Sequence, residues 1–242
     1  MKKWSVLLIA LTMLGAGMVT SSEAAIEVEG DVYVGVFDKY LWRGFDLSDG
    51  RPVIQGGADL SSGGFTLSYW TNWQLKSSDG IDSGEATETD IILDYSRDFG
   101  EMLSVSVGDI WYQLDGLEDT NELYVAATVN TLLSPTMSMY WDWDAAEEEG
   151  LYFTFDVSHS LDLTEGLVLN LGALISYNLH SDYAVGDYAG FHNYELSTGL
   201  DYTLTESLTV SPSFTYSSGI SDGGKDAIDS EILAGVNLTL AF

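Results

Sequence analysis

The stretch Leu167-Val168-Leu169-Asn170-Leu171-Gly172-Ala173-Leu174-Ile175-Ser176-Tyr177-Asn178-Leu179 carries an apolar side chain at every odd position. Asn170, Gly172, Ser176 and Asn178 fall between them. Side chains on an extended chain alternate between two faces, so period two reads as a strand with one apolar face, whereas a helix would repeat every three to four residues. Thirteen residues at strand rise are also long enough to cross a bilayer at a tilt, which takes about 9–11.

The same rhythm runs along the chain. Ile26, Val28, Val32, Val34, Val36, Tyr40 and Trp42 share one face of the first segment, and Glu27, Glu29, Asp31, Lys39 and Arg43 share the other. Met137, Met139, Trp141 and Trp143 repeat it, as do Leu151, Phe153, Phe155 and Val157, and the closing run Ile232, Ala234, Val236, Leu238, Leu240 and Phe242. The pattern predicts strands near 26–42, 52–61, 64–75, 88–97, 102–113, 120–131, 136–144, 150–159, 166–179, 190–204, 207–217 and 229–242. An even count of strands returns both termini to one side, as in bacterial outer-membrane barrels. The expected fold is therefore all-β, a transmembrane antiparallel up-and-down β-barrel of about twelve strands.

Connection lengths support that topology. From a periplasmic N-terminus, the turns at 62–63, 98–101, 132–135, 160–165 and 205–206 are periplasmic and mostly short. The outer set at 43–51, 76–87, 114–119, 145–149, 180–189 and 218–228 is mostly longer and rich in Gly and acidic residues. Aromatic residues near strand ends (Tyr40, Trp42, Trp70, Trp73, Trp111, Tyr112, Trp141, Trp143, Tyr177, Tyr202, Tyr216) suit the headgroup level. Asp109 breaks the apolar face of Leu103, Val105, Val107 and Trp111. Either a β-bulge near Gly108 returns it to the lumen, or it sits toward the interface.

Met1-Lys2-Lys3 followed by the apolar run Trp4–Val19 has the form of a secretory signal, and Ser22 and Ala24 fit the cleavage site. Residues 1–24 are thus expected to be removed, leaving one domain over 25–242. No Cys is present, which excludes disulfides, thiolate metal sites and a cysteine-linked acyl anchor. The net charge of −30 argues against nucleic acid as a partner, because phosphate binding needs a positive footprint. With 45% apolar residues the chain is too hydrophobic for an acidic disordered tail. Beyond the signal no apolar run reaches about 18 residues, so entering a bilayer would require a closed barrel. A soluble secreted barrel with its apolar face turned inward is the competing arrangement. Against it, a twelve-stranded closure around an apolar interior would be hard to fill.

The segment Lys39-Tyr40-Leu41-Trp42-Arg43-Gly44-Phe45-Asp46-Leu47-Ser48-Asp49, followed by Pro52-Val53-Ile54-Gln55-Gly56-Gly57-Ala58-Asp59-Leu60, resembles the opening of the TorF-type porin family, with its Tyr-x-x-Arg-Gly motif and Pro-x-x-Gln-Gly-Gly-x-Asp-Leu run. The specific match covers about residues 30–75. The resemblance implies an outer-membrane channel and brings no substrate with it. The terminal Phe242 resembles the C-terminal assembly signal read by the barrel-assembly machinery. Physically, Arg43 and Arg51 are expected to flank an acidic outer loop and to pair with Asp46, Asp49 or Asp59, while Gly56-Gly57 permits close backbone approach.

With the apolar face on lipid, the expected lumen lining is Glu27, Glu29, Asp31, Lys39, Arg43, Asp59, Asp90, Asp94, Glu122, Asp142, Asp144, Asp156, Glu195, Asp201 and Glu231, with Arg97 at a turn. Carboxylates in a low-dielectric wall attract cations and repel anions. The expected function is passive diffusion of small hydrophilic solutes with cation preference, with outer-membrane lipid around the barrel. A plugged barrel serving surface structure or adhesion is the alternative. No cofactor, metal centre or catalytic group is expected. His159, His180 and His192 are followed two residues later by Leu161, Asp182 and Tyr194, so a His-x-Ser arrangement is lacking; His180 with Asp182 is the one candidate dyad. The loop Asp79–Glu85 lacks the ligand spacing of an EF-hand.

Overall fold

The computed structural model describes residues 27–77, 82–147 and 149–242. The signal expected over 1–24, and Ile26, lie outside the described residues.

Among the described residues, fourteen strands and a short helix follow in order: β1 (Glu29–Phe37), β2 (Leu41–Trp42), β3 (Phe45–Asp46), β4 (Val53–Ser62), β5 (Phe65–Gln74), β6 (Ala86–Phe99), β7 (Leu103–Leu114), β8 (Thr120–Val129), β9 (Thr136–Asp142), β10 (Leu151–Thr164), β11 (Leu167–Leu179), β12 (Ala189–Thr205), β13 (Leu208–Gly219), α1 (Asp222–Ala227) and β14 (Glu231–Ala241). Twelve of the strands form a closed barrel in which each pairs with its neighbours in sequence; β2 and β3 form a separate hairpin. The seam is closed by β1 on β14, with Asp31 opposite Ala241 and Phe37 opposite Gly235. Every pairing is antiparallel and the sheet closes on itself, so no edge is left open, which is the condition for holding backbone polar groups in hydrocarbon.

Which face points outward follows from exposure. Val32, Val34 and Val36 on β1, Leu67 and Tyr69 on β5, Met137, Met139 and Trp141 on β9, and Ile232, Val236 and Leu238 on β14 are all exposed large apolar residues. Residues of the opposite parity, among them Glu88 and Asp90 on β6, Glu122 on β8, Asp142 on β9, and Ser176 and Asn178 on β11, are buried. A soluble barrel would show the reverse. The apolar stripe is outside and the carboxylates are inside.

Strand boundaries fall close to the sequence reading, with three corrections. The first strand does not run to 42: the chain bends at Asp38-Lys39, and β2 with β3 turns back as a hairpin, so Tyr40 and Trp42 leave the outward face. The reason is local. Asp38 pins the bend through its backbone N–H to Ala234 and its carboxylate to the Ala234 N–H, both at 3.0 Å. The supposed turn at 160–165 is mostly strand, since β10 continues to Thr164; His159 therefore lies on β10, with Nδ1 2.9 Å from the Leu132 carbonyl. Likewise Arg97 lies on β6 with outward parity, its guanidinium 5.6 Å from the Phe99 ring, and not at a turn.

Asp109 keeps its outward position. The register of β7 runs without interruption from Ser104 to Tyr112 against both neighbours, so no bulge at Gly108 turns it inward. Its Oδ1 accepts a hydrogen bond from the Trp143 indole at 3.3 Å, just beyond the end of β9. That places the carboxylate at the level of the strand ends near the long loops, where a charge on the lipid face costs about 0–1 kcal/mol. Asp109→Leu is expected to change the unfolding free energy in micelles by no more than about 1 kcal/mol. A stabilisation clearly above about 1 kcal/mol in a urea titration would instead place the residue deeper in the bilayer.

Candidate functional site

The barrel's long-loop end is occupied by its own first loop. Within 38–52, Trp42 pairs with Phe45 across a two-residue turn whose central residues, Arg43 (φ 49°) and Gly44 (φ 85°), both have positive φ, as a primed hairpin turn requires. Glycine takes that conformation readily; arginine rarely does, so the tip is held by its surroundings. Asp46 closes the loop by accepting from the Ser48 N–H at 3.0 Å and the Gly50 N–H at 2.6 Å. Ser48, almost fully buried, accepts from the Tyr40 N–H at 2.8 Å through its hydroxyl and from Gln74 Nε2 at 3.1 Å through its carbonyl.

At the tip, the Arg43 guanidinium grips Glu122 of β8 with both terminal nitrogens, Nη1 to Oε1 at 2.8 Å and Nη2 to Oε2 at 2.7 Å. The side chains of the pair are 8% and 1% exposed. Three rings surround the guanidinium, with Trp42 and Tyr152 centroids at 4.3 Å and Tyr140 at 5.2 Å. A bidentate charge pair wrapped by aromatic faces is the environment a buried arginine needs. The expected partners Asp46, Asp49 and Asp59 are not those it takes: the hairpin carries Arg43 across the lumen to the opposite wall. Arg51 stays exposed.

Other mouth elements pack on the hairpin. His192 stacks on Phe45 at 5.6 Å, and its Nε2 lies 2.7 Å from the Arg43 carbonyl. A carbonyl can only accept, so Nε2 carries the proton and Nδ1 accepts from the Tyr188 hydroxyl. A bulge in β12 turns both His192 and Asn193 inward, visible as the register shift in its pairing with β11. Asn193, fully buried, binds Ser217 at 2.9 Å and Glu195 at 3.0 Å. The helix α1, capped by Ser221, seats Gly224 against the His192 backbone, where a Cβ would lie 2.1 Å from the carbonyl oxygen.

The expected lining divides into two levels. Near the plug, Lys39 is ion-paired with Glu231 and lies 3.7 Å from Asp46, and the hydrogen bond to Glu231 raises its ammonium above the ordinary lysine value. Glu122, Asp90, Asp142 and Glu195 belong to the same level, with Asp142 Oδ1 accepting from Thr120 at 2.7 Å. Towards the short-turn end, Asp31 faces Asp59 across β1 and β4, Asp94 accepts from Tyr124 at 2.5 Å, and Asp201 accepts from Asn170 and Ser211, both at 2.7 Å. Asp156 has inward parity on β10, and Glu29 begins β1. Two residues depart from the expectation. Glu27 precedes β1 and is exposed, and Asp144 lies in the loop after β9, accepting from Asn121 at 3.3 Å.

Sequence reading missed Glu88, Tyr112, Tyr152, His192 and Asn193. Glu88, buried and bonded to the Tyr40 hydroxyl at 2.9 Å, shares parity with Asp90 and Asp94, which was signal enough to include it. Tyr40, Trp42, Trp70 and Tyr112 were assigned to the headgroup belt but pack inward around the hairpin, Tyr40 on Trp70 at 5.5 Å and Trp42 on Tyr112 at 6.1 Å. The candidate dyad does not form: His180 pairs with Asp187 at 2.7 Å, while Asp182 accepts from the Glu147 N–H.

Fold and site together define a twelve-stranded membrane-type β-barrel with a carboxylate-lined lumen and an inward-folded first loop. The chain belongs to the Gcw_chp family, described as a bacterial protein of unknown function, whose model matches residues 21–232. No curated protein matches it significantly. Among solved structures it is similar to the NanC porin, with a TM-score of 0.55 at 14% identity over 87% of this chain and 98% of that one. It is also similar to the KdgM porin in complex with disordered oligogalacturonate (TM-score 0.55, 12% identity, 88% and 99% covered). A third is the COG4313 outer membrane channel from Pseudomonas putida F1 (TM-score 0.54, 9% identity, 93% and 100% covered). At these identities the likeness is one of fold.

Proposed function

We propose that this protein is an outer-membrane channel of the TorF type that passes small hydrophilic solutes by diffusion and prefers cations. The sidedness of the wall carries the reading: exposed apolar residues outside, and Asp31, Asp59, Asp94, Asp156 and Asp201 on inward positions with no inward-facing Lys or Arg on the same short-turn half among the described residues. Fixed carboxylates in a wall of low dielectric concentrate cations and exclude anions. An oligogalacturonate, a polyanion found with one neighbour of like fold, is unsuited to such a lumen. The long-loop end faces outward, and Phe242 at the seam is presented to the assembly machinery.

The plug favours a second reading, a non-conducting barrel that displays acidic outer loops for surface structure or adhesion. Planar-bilayer recording separates the two. Conductance steps are expected, with a reversal potential under a KCl gradient whose sign reports potassium as the main carrier. Steps carried by chloride would refute the cation preference, and silent bilayers would favour the surface role.

A further inference from the structure

A recess beside the Arg43 tip, sharing Trp42 and Glu122 with it, opens at the long-loop end, between the hairpin and the wall of β6, β7 and β8. It encloses about 290 Å³, the scale of a small-molecule site. Its floor is made by the rings of Tyr40, Trp42 and Tyr112 with the carboxylates of Glu88 and Glu122, which are 7% and 1% exposed. Leu47, Leu117, Tyr183 and Asp115 form the rim, and none of the lining residues is Lys, Arg or His.

The polar groups in the recess are selective in what they offer. Tyr40 donates its hydroxyl proton to Glu88 and Tyr112 donates to Glu122, both at 2.9 Å, and Thr120 donates to Asp142 at 2.7 Å. Those donors are committed, so a ligand meets acceptors and ring faces. An anion would face the carboxylates of Glu88, Asp115 and Glu122 with no Lys, Arg or His beside them. An uncharged apolar molecule would strip water from Glu88 without replacing its hydrogen bonds. A cation supplies both donors and charge, and aromatic faces add attraction through their negative ring faces. The chain itself shows this combination in the adjoining space, where the Arg43 guanidinium sits against Glu122 among Trp42, Tyr140 and Tyr152.

We propose that this recess binds a small organic cation, its ammonium or guanidinium group directed at Glu88 and a short apolar arm lying against Leu47, Leu117 and the rings. As a docking station for cationic solutes it rests on the channel reading; as a binding site it does not.

The test is calorimetric titration of the refolded protein in detergent with phenethylammonium chloride, against 2-phenylethanol and sodium phenylacetate as matched controls and empty micelles as blank. Saturable binding is expected for the ammonium alone, weakening as salt is raised. Glu88→Gln keeps an acceptor for Tyr40 but removes the charge, and is expected to weaken binding by about tenfold. Because Glu88 is buried, Leu117→Lys serves as a second variant: Leu117 is 69% exposed on a loop, so folding is undisturbed while a positive charge enters the rim. It too is expected to lower affinity by about tenfold. Equal binding of the ammonium and the alcohol, no saturable heat, or an unchanged affinity in Leu117→Lys would overturn the proposal. A conducting protein that fails to bind discards the recess alone, and a silent one that binds discards the channel alone.

Discussion

Arg43→Ala is expected to raise single-channel conductance several-fold while the barrel stays folded. The hairpin that narrows the mouth has only two pairs of ladder residues, Leu41 with Asp46 and Trp42 with Phe45, and cannot hold its shape alone, since even a full isolated hairpin is marginal in water. Its position depends on what the tip touches. Removing the guanidinium deletes both bonds to Glu122 and the contacts with three rings, and leaves a carboxylate that is 1% exposed without its counter-charge. Breaking one side of a buried ion pair costs about 3–5 kcal/mol. The barrel has a cheaper response than unfolding: the hairpin lifts, water reaches Glu122, and the lumen widens. The twelve-strand ladder contains none of the lost contacts, so resistance to urea and heat-modified mobility on gels should be nearly unchanged. Arg43→Lys should fall between, because an ammonium neutralises Glu122 as a point charge but lacks the fork and the flat faces that stack on Trp42 and Tyr152. In Arg43→Ala/Glu122→Gln the uncompensated charge is gone, and the conductance increase should shrink relative to the single variant. Wild-type conductance in Arg43→Ala would show that the loop does not control the path.

The barrel was legible because a wall with lipid on one side and water on the other forces period two on nearly every strand. Runs such as Leu167–Leu179 and Ile232–Phe242 carry that constraint without exception on the outward face. The hairpin was hidden by the same rule. Tyr40 and Trp42 continue the parity of Val36, so they read as more of β1, and only Asp38-Lys39 and Arg43-Gly44 mark the two reversals. The role of Arg43 was equally out of reach, because its partner Glu122 lies 79 residues away and is chosen by closure of the cylinder, not by local sequence. The bulge at His192-Asn193 left one trace, a three-residue spacing from the outward Phe191 to the outward Tyr194. Asp109 on the outward face admits two readings from sequence, a bulge near Gly108 or a place toward the interface, and the unbroken register with its indole hydrogen bond fits the second.

Gly57→Val is expected to prevent the barrel from folding in detergent or to lower its stability by about 3 kcal/mol, the upper end of overpacking costs. Gly57 lies on the inward face of β4 directly opposite Tyr33, and a Cβ there would stand 2.3 Å from the Tyr69 backbone oxygen and 2.6 Å from the Tyr33 hydroxyl. A side chain can swing away from a clash; the Tyr69 carbonyl, which belongs to β5, cannot move without breaking the ladder between β4 and β5. The same arrangement recurs where Tyr124 lies over Gly108 and Phe37 over Gly235, each an aromatic residue opposite a glycine across a strand pair. In each case the missing side chain lets a ring lie along the wall and not across the lumen, which joins folding to the open interior that conduction needs. Gly57 of the Gly56-Gly57 pair on β4 thus serves the close approach that the sequence suggested. Gly199→Ala is the matched control, since its Cβ would meet nothing closer than 3.4 Å, and it should change stability by less than about 1 kcal/mol. Urea titrations of both variants decide the matter: a Gly57→Val barrel with the wild-type midpoint would mean that β4 shifts freely, and the close approach at Tyr33 would lose its meaning.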